Sequence, residues 1–212
     1  SLGSVTFSAT GTNAPAPIPP APGPGPAPDP TPTATPTPSP APAPIPPPAP
    51  VPDPQGNLPE LLPDQSLLMI NGVPTPVTIT PNETGDGLIV TGEGFHVLLI
   101  ALQDDGTPAP LGSDQALVLR PGGFARVTGS GFLPGTVVYV WLFSNPTMLG
   151  TLTVNPDGTV DGNVPVPGDL AAGNHTIQVN GTSAADQQRS VSMGVVVGKQ
   201  MASRNRVYFD YM

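Results

Sequence analysis

The chain has 212 residues, of which 34 are proline and 25 are glycine, and only 10% of its residues are charged. Its net charge of -9 repels phosphate backbones and excludes a nucleic-acid partner, and the lack of cysteine excludes disulfides and thiolate metal sites. No apolar run approaches the ~20 residues of a membrane helix, and a surface this poor in charge is unusual in the cytosol. We therefore expect a secreted or cell-surface protein without a membrane span.

Residues 1–13 alternate between apolar and polar side chains, with Val5, Phe7 and Ala9 on one face. This period of two predicts a half-buried β-strand. Since no neighbouring segment can pair with it, the strand must take its partner from the distant β region or from another molecule. The alternatives are that it is the last strand of a truncated preceding domain, or a disordered end.

Residues 14–57 are predicted to form an extended linker, because proline occupies about every second position from Ala14 to Pro54. Proline fixes φ and removes the amide donor, which favours polyproline II over helix or sheet. The linker also presents exposed hydroxyls that are candidate O-glycosylation sites, although an unmodified linker fits equally well. These candidate sites are Thr31, Thr33, Thr35, Thr37 and Ser39.

After Leu58, short apolar runs are separated by glycine, proline, asparagine and aspartate, and no stretch keeps a helical period. This pattern predicts an all-β fold: a small β module at 58–119, an immunoglobulin-like β-sandwich at 120–198 and a tail or strand at 199–212. The predicted strands are 66–70, 76–80, 87–91, 96–102, 115–119, 124–129, 136–143, 148–154, 159–165, 175–180 and 190–197.

Two similar segments, VTGEGF at 90–95 and VTGSGF at 127–132, support two related units. Their glycines are expected to take positive φ, while Phe95 and Phe132 cap a core. The strand at 136–143 carries apolar or aromatic side chains on both faces, which predicts a central position in a sheet. Trp141, on this strand, is expected in the core, the alternative being a ligand platform.

The run from Phe124 to Val197 contains a GSGFLPG corner, a VWLFS strand, an LGTLTVNPDGTVDG hairpin and an LAAGNHTIQVNG segment. It resembles the immunoglobulin-like modules of secreted and cell-surface proteins of actinobacteria, and residues 58–114 are similar to the small β module that accompanies them. In such proteins a proline-rich spacer precedes the module, and a peptidoglycan-binding domain like that of outer-membrane protein A sometimes follows. The terminal RVYFDYM resembles the first strand of that domain. The resemblance implies this architecture and a structural role.

Catalytic, cofactor and metal sites are not predicted. The two histidines, His96 and His175, lie inside predicted strands without a recognisable nucleophile and orienting group, so a structural histidine is favoured over a base. The oxygen-rich run at 157–163 has the alternation of a calcium loop but lacks the terminal glutamate, and its Asp157-Gly158 pair favours a hairpin turn. The sequence therefore does not predict an enzyme.

The favoured function is a structural subunit of an extracellular bacterial surface appendage or fibre. The specific hypothesis is head-to-tail polymerisation, in which Val5, Phe7 and Ala9 of one chain complete the β region of a neighbour. Val207 and Phe209 belong to a second candidate donor strand. The expected partners are further copies of the chain, other envelope proteins or glycans. The alternative is a cell-surface display or adhesion module that binds polysaccharide or the envelope.

Overall fold

The computed structural model describes residue 11, residues 15–27 and residues 48–199. The chain divides into two units, Ser1–Pro44 and Ile45–Met212. In the first unit, residues 15–27 are exposed and form neither helix nor strand, so their polyproline II conformation stays a prediction. The remaining predicted functional residues lie outside the described residues: Val5, Phe7, Ala9, Thr31, Thr33, Thr35, Thr37, Ser39, Val207 and Phe209.

Residues 48–199 form an all-β sandwich, which confirms the predicted fold class at this level. None of the described residues belongs to a helix that is long and apolar enough to cross a membrane. The strands are β1 (Ser66–Ile70), β2 (Val73–Thr75), β3 (Thr78–Pro81), β4 (Gly87–Gly92), β5 (Phe95–Leu102), β6 (Val118–Leu119), β7 (Phe124–Ser130), β8 (Val137–Phe143), β9 (Thr147–Thr153), β10 (Val160–Pro165), β11 (Gly173–Thr182) and β12 (Gln188–Val197).

Two sheets build the sandwich. Sheet A has seven strands in the order β2-β1-β12-β11-β8-β9, with β6 pairing to the end of β12, and sheet B has five in the order β10-β7-β5-β4-β3. All pairs are antiparallel except that between β6 and β12. Within residues 48–199 every predicted strand overlaps a strand of the structure, whereas the candidate donor strands at 5–9 and 207–209 lie outside the described residues. The strand that the sequence did not predict is β2, which carries Pro74 and lies at a sheet edge, where a missing amide donor is tolerated.

The predicted boundary between a module at 58–119 and a sandwich at 120–198 does not separate two cores. β1 pairs with β12 and β5 pairs with β7, so each sheet contains strands from both sides of that boundary. The buried side chains of both parts belong to one hydrophobic cluster. The physical reason is that a few short strands cannot bury their apolar faces alone and do so against strands that lie far along the chain.

In the two similar corner segments the second glycine takes the predicted positive φ, whereas Gly92 and Gly129 do not. Gly94 has a φ of 71° and Gly131 a φ of 90°, and both Phe95 and Phe132 are buried in the common core. Because β5 and β7 are neighbours in sheet B, the corners lie side by side rather than in separate units. A Cβ at Gly131 would lie 2.8 Å from the Cβ of Phe95, so the backbones approach closely at this point.

β8 is an interior strand, as predicted, because it pairs with β11 on one side and with β9 on the other, although the middle pair of sheet A is β12 and β11. Val138, Val140 and Leu142 face sheet B and are buried. Trp141 points to the opposite face and is half-buried, so its predicted place in the core between the sheets is wrong. The side-chain alternation of β8 was read correctly, but the neighbours that cover each face are set by tertiary structure.

Candidate functional site

The outer face of sheet A, which is turned away from sheet B, is polar and nevertheless buried. In the middle of β11 and β12 the inward residues are apolar, whereas the outward residues from Thr176 to Asn180 and from Ser190 to Ser192 carry hydroxyl or amide groups. A polar face of this kind is stable only when it is covered and its groups are hydrogen-bonded. Its buried members are Thr176, Gln178, Asn180, Ser190 and Ser192.

Part of the cover is the segment of residues 51–62, which precedes β1 and which we call the strap. The Gln178 side chain is fully buried and binds the Val51 backbone twice: the Val51 amide donates to Oε1 at 2.8 Å, and Nε2 donates to the Val51 carbonyl at 2.8 Å. Val51 itself is only 8% exposed. The amide of Gln178 therefore pairs with the strap as a neighbouring strand would.

The amide of Gln178 uses all four of its hydrogen-bonding positions. Besides the two bonds to Val51, Nε2 donates to the Ser192 hydroxyl at 2.9 Å, and Oε1 accepts from the Asn180 side chain at 2.8 Å. Ser192 and Asn180 thus fix the plane of the amide before the strap is added. A buried side-chain amide with all four positions bonded in this way holds its ligand in one orientation.

A second anchor holds the other end of the strap. The Leu61 amide donates to the Thr176 hydroxyl at 2.9 Å, one step along β11 from Gln178 on the same face. Beside it, a Cβ on Gly194 would lie 2.7 Å from the Leu61 carbonyl oxygen, so glycine is needed for the strap to approach β12 this closely. The strap is therefore seated along the sheet by at least two fixed points.

The extent predicted for the linker, residues 14–57, needs correction at its end. Val51 is bound to the sheet, and the backbone turns from Asp53 to Asn57, with the Asp53 amide donating to the Asn57 carbonyl at 2.7 Å. The Asp53 side chain closes this turn by accepting from the amides of Gln55 and Asn57. Proline content indicated extension here, but the residues between the prolines keep amide donors that fold the chain back.

Aromatic side chains lie beside Gln178 on the same face. In the pairing of β8 with β11, Trp141 is opposite Gln178 and Tyr139 is opposite Asn180, and both rings are half-buried. Three polar atoms on this face are buried and have no hydrogen-bond partner in the part of the chain that the structure describes: Trp141 Nε1, Asn180 Oδ1 and Ser190 Oγ. The face thus offers aromatic surface and spare hydrogen-bonding groups.

Each histidine has a serine partner that sequence reasoning missed. His175 Nε2 lies 2.8 Å from the Ala171 carbonyl oxygen. His175 Nδ1 lies 2.8 Å from the Ser144 hydroxyl and 3.2 Å from the Phe143 carbonyl. His96 pairs similarly with Ser130 across β5 and β7 at 3.0 Å. Both serines are distant in sequence, so only the strand register brings these pairs together.

His175 and Ser144 also line a cavity of about 410 Å³ between the strap and the sheet, together with Leu58, Glu60, Leu61, Leu62, Phe143, Asn174 and Thr176. The ring of His175 is held between backbone carbonyls, and a carbonyl rather than a carboxylate orients it. This arrangement ties the end of β8 to the loop before β11. The structural role expected for His175 accords with these bonds and stays a prediction.

The oxygen-rich run at 157–163 is occupied by local contacts. Asp157 Oδ1 accepts from the Thr159 hydroxyl at 2.6 Å, and this bond lowers the pKa of Asp157. Asp161 forms a two-point pair with Arg126, with Nε to Oδ1 at 2.9 Å and the second guanidinium nitrogen to Oδ2 at 2.8 Å. The carboxylates therefore point to separate partners rather than towards a shared centre.

Replacing Asp161 with asparagine is expected to destabilise the fold by only about 0.5 kcal/mol at neutral pH, because the pair with Arg126 is half-exposed and screened by solvent. The hydrogen bonds from Arg126 lower the pKa of Asp161, so the contribution is present above the unfolded-state pKa and is lost as the pH falls from about 4. Thermal unfolding of both proteins between pH 7 and pH 2.5 checks this. Asp104→Asn, in an exposed turn, is the control, and a difference for Asp161→Asn that persisted at the lowest pH would contradict the prediction.

No family model matches this chain, and no curated protein matches it. The immunoglobulin-like family of actinobacterial surface proteins therefore stays a resemblance. The functional argument accordingly rests on the sheet face, the strap and their contacts.

Proposed function

We propose that this chain is a structural segment of an extracellular bacterial surface appendage, in which the sandwich holds the end of a proline-rich spacer. The observation that carries the proposal is the paired hydrogen bonding between Gln178 and the Val51 backbone. Val51 lies near the end of the proline-rich run, so this contact joins the spacer to the folded part of the chain. No catalytic role is proposed.

The position of this contact suits a part that bears load. Gln178 lies on β11, which pairs with β12 from Gly173 to Thr182 and with β8 from Thr176 to Asn180. A pull on the spacer at Val51 is therefore delivered to an interior strand that is bonded on both sides. Such a strand resists displacement better than an edge strand, whose single row of hydrogen bonds is removed one at a time.

Assembly by strand donation remains the specific proposal for how copies join. Pro74 in β2 and Pro81 in β3 remove donors from the edge strands on one side of the sandwich. On the other side, β9 contains no proline and, among the described residues, pairs only with β8. We infer that Val5, Phe7 and Ala9 of one copy add a strand at β9 of the next, which generates a head-to-tail fibre.

Deleting residues 1–13 is expected to abolish fibres, because the donated strand is removed while the described sandwich is left intact. Negative-stain electron microscopy of the purified full chain and of the deletion variant measures this. A chain carrying Thr6→Ser, Ser8→Thr and Thr10→Ser keeps the apolar face and serves as the control that should still assemble. Fibres that persist unchanged after the deletion would reject strand donation.

A display or adhesion module is the second candidate. The half-buried rings of Tyr139 and Trp141 on the outer face of sheet A are the observation that favours it, because sugars and envelope polymers bind against aromatic surfaces. In this case the O-glycosylated or bare spacer would carry the sandwich outwards, and the full chain would appear as single particles rather than fibres in the same micrographs.

A further inference from the structure

The contact between Gln178 and the strap selects a particular kind of segment. Val51 is flanked by Pro50 and Pro52, so within this tripeptide it alone has an amide hydrogen to donate. Gln178 uses that donor and the carbonyl of the same residue, while the valine side chain becomes buried. The site therefore recognises a β-branched aliphatic residue between two prolines.

The same chemistry recurs in the proline-rich part of the chain. The heptapeptide APAPIPP occurs twice, at 14–20 and at 41–47, and each copy holds an isoleucine between prolines. Ile18, in the first copy, is 90% exposed and is the most exposed of the large hydrophobic residues described. Its flanking prolines leave its amide and carbonyl free of a strand or helix, as is the case at Val51. Ile45, in the second copy, lies outside the described residues.

The surroundings of Gln178 suit an extended proline-rich ligand. Such segments bind in grooves lined by aromatic residues, where a preformed polyproline II conformation loses little entropy on binding. Trp141 lies opposite Gln178 on the neighbouring strand, and its buried Nε1 has no acceptor among the described residues. An indole nitrogen in this position can donate to a further carbonyl of a bound segment.

We propose that the outer face of sheet A is a receptor for Pro-Ile-Pro and Pro-Val-Pro segments, filled by Val51 of the same chain and able to take Ile18 of a second copy. When Ile18 of a second copy takes the place of Val51, its amide and carbonyl form the same two hydrogen bonds with Gln178. Its side chain buries one more methylene group than valine does. The strap of the same chain competes for the site at high effective concentration, so the apparent affinity of the site for a second copy is lowered. The inference extends the proposed function by naming a second contact between copies.

The test uses the full chain with Ile18→Pro, Ile45→Pro and Val51→Pro, which removes all three competing donors and keeps the proline-rich character of the spacer. The probe is the synthetic peptide APAPIPPA, which corresponds to residues 14–21 with blocked ends. Binding is followed by NMR through the side-chain amide of Gln178 and the indole N–H of Trp141. The matched peptide carries Ile18→Pro, and the matched receptor additionally carries Gln178→Met.

Saturable shifts of both side-chain signals are expected with APAPIPPA. Either matched control should bind at least about tenfold more weakly, because Gln178→Met removes both paired hydrogen bonds and Ile18→Pro removes the amide donor of one of them together with the aliphatic side chain. Equal binding of the two peptides would overturn the receptor proposal. The absence of a saturable shift at ~10 mM peptide, a concentration chosen because a single motif binds weakly, would also overturn it. If circular dichroism shows that the Gln178→Met variant does not fold, the comparison of the two peptides on the receptor that keeps Gln178 still tests the proposal.

The outcomes separate this inference from the proposed function. If the full chain forms fibres but its receptor variant does not bind the peptide, the receptor site is overturned and the fibre proposal is not. Peptide binding by a chain that forms no fibres would contradict the fibre proposal and support the receptor.

Discussion

Replacing Gln178 with alanine is expected to lower the free energy of unfolding by about 2 to 4 kcal/mol, and the melting temperature by about 5 to 15 °C for a sandwich of this size. The substitution removes four hydrogen bonds from a fully buried position: two to Val51, one to Ser192 and one from Asn180. It leaves a cavity and several buried polar groups without partners. Differential scanning calorimetry of the full chain measures the change.

Hydrogen exchange shows whether the Gln178→Ala substitution releases the strap or destabilises the whole sandwich. Hydrogen exchange at the amides of Val51 and Leu61 should accelerate more than exchange in the core strands β5 and β7. Gln103→Ala is the matched control, because Gln103 lies in an exposed turn and its side chain donates only to the Thr107 hydroxyl among the described residues. If the two alanine variants melt at the same temperature, the role assigned to Gln178 is wrong.

A double-mutant cycle with Val51→Pro isolates the contact itself. Proline at this position keeps an extended backbone but removes the amide that donates to Gln178 Oε1. The two substitutions should therefore be less than additive, since each breaks the same interaction. Simple additivity would mean that the stability of the sandwich does not depend on this pair.

Gly131→Ala is expected to cost about 3 kcal/mol or more, the second large effect. The residue has a φ of 90°, which an alanine adopts only with strain, and its added Cβ would lie 2.8 Å from the Cβ and 2.9 Å from the Cα of Phe95. Phe95 is buried in the common core and cannot move away without opening it. Urea unfolding of the full chain gives the free-energy change.

Gly135→Ala provides the control that separates strain from crowding. Gly135 also has a positive φ, of 77°, but no atom lies within 4 Å of a Cβ built there. Its substitution should cost only about 1 kcal/mol, the strain of the left-handed backbone alone. If both substitutions lower the free energy of unfolding equally, the close approach of the two corners adds nothing to the cost of a Cβ at Gly131.

The strands were predictable because strand formation depends on side-chain alternation and on turn residues, which are local properties. The predicted strand at 66–70 matches β1 in both bounds. The predicted turn at Asp157-Gly158 lies between β9 and β10, although these strands belong to different sheets and form no hairpin. Errors arose where a neighbour decides the outcome. Trp141 was expected in the core because its strand carries apolar or aromatic side chains on both faces, yet it lies on the outer face of sheet A.

The candidate site was not predictable from the same signals. Gln178, in HTIQVNG, has the ordinary pattern of an exposed polar residue on a half-buried strand. Val51 was assigned to the linker because the composition around it is dominated by proline. Many residues of the run keep an amide donor between two prolines, so this feature does not distinguish Val51, and nothing in the sequence identifies its partner.

The sequence by itself determined the all-β class, the position of the strands and the existence of a proline-rich segment, because alternation, glycine and proline act over a few neighbouring residues. Tertiary structure alone decided that strands on both sides of residue 119 share one core, that the outer face of sheet A is buried, and that Val51 binds Gln178 across 127 positions of sequence. The physical reason is that burial and hydrogen-bond satisfaction are properties of pairs of surfaces, and a pair is formed only when the whole chain has folded.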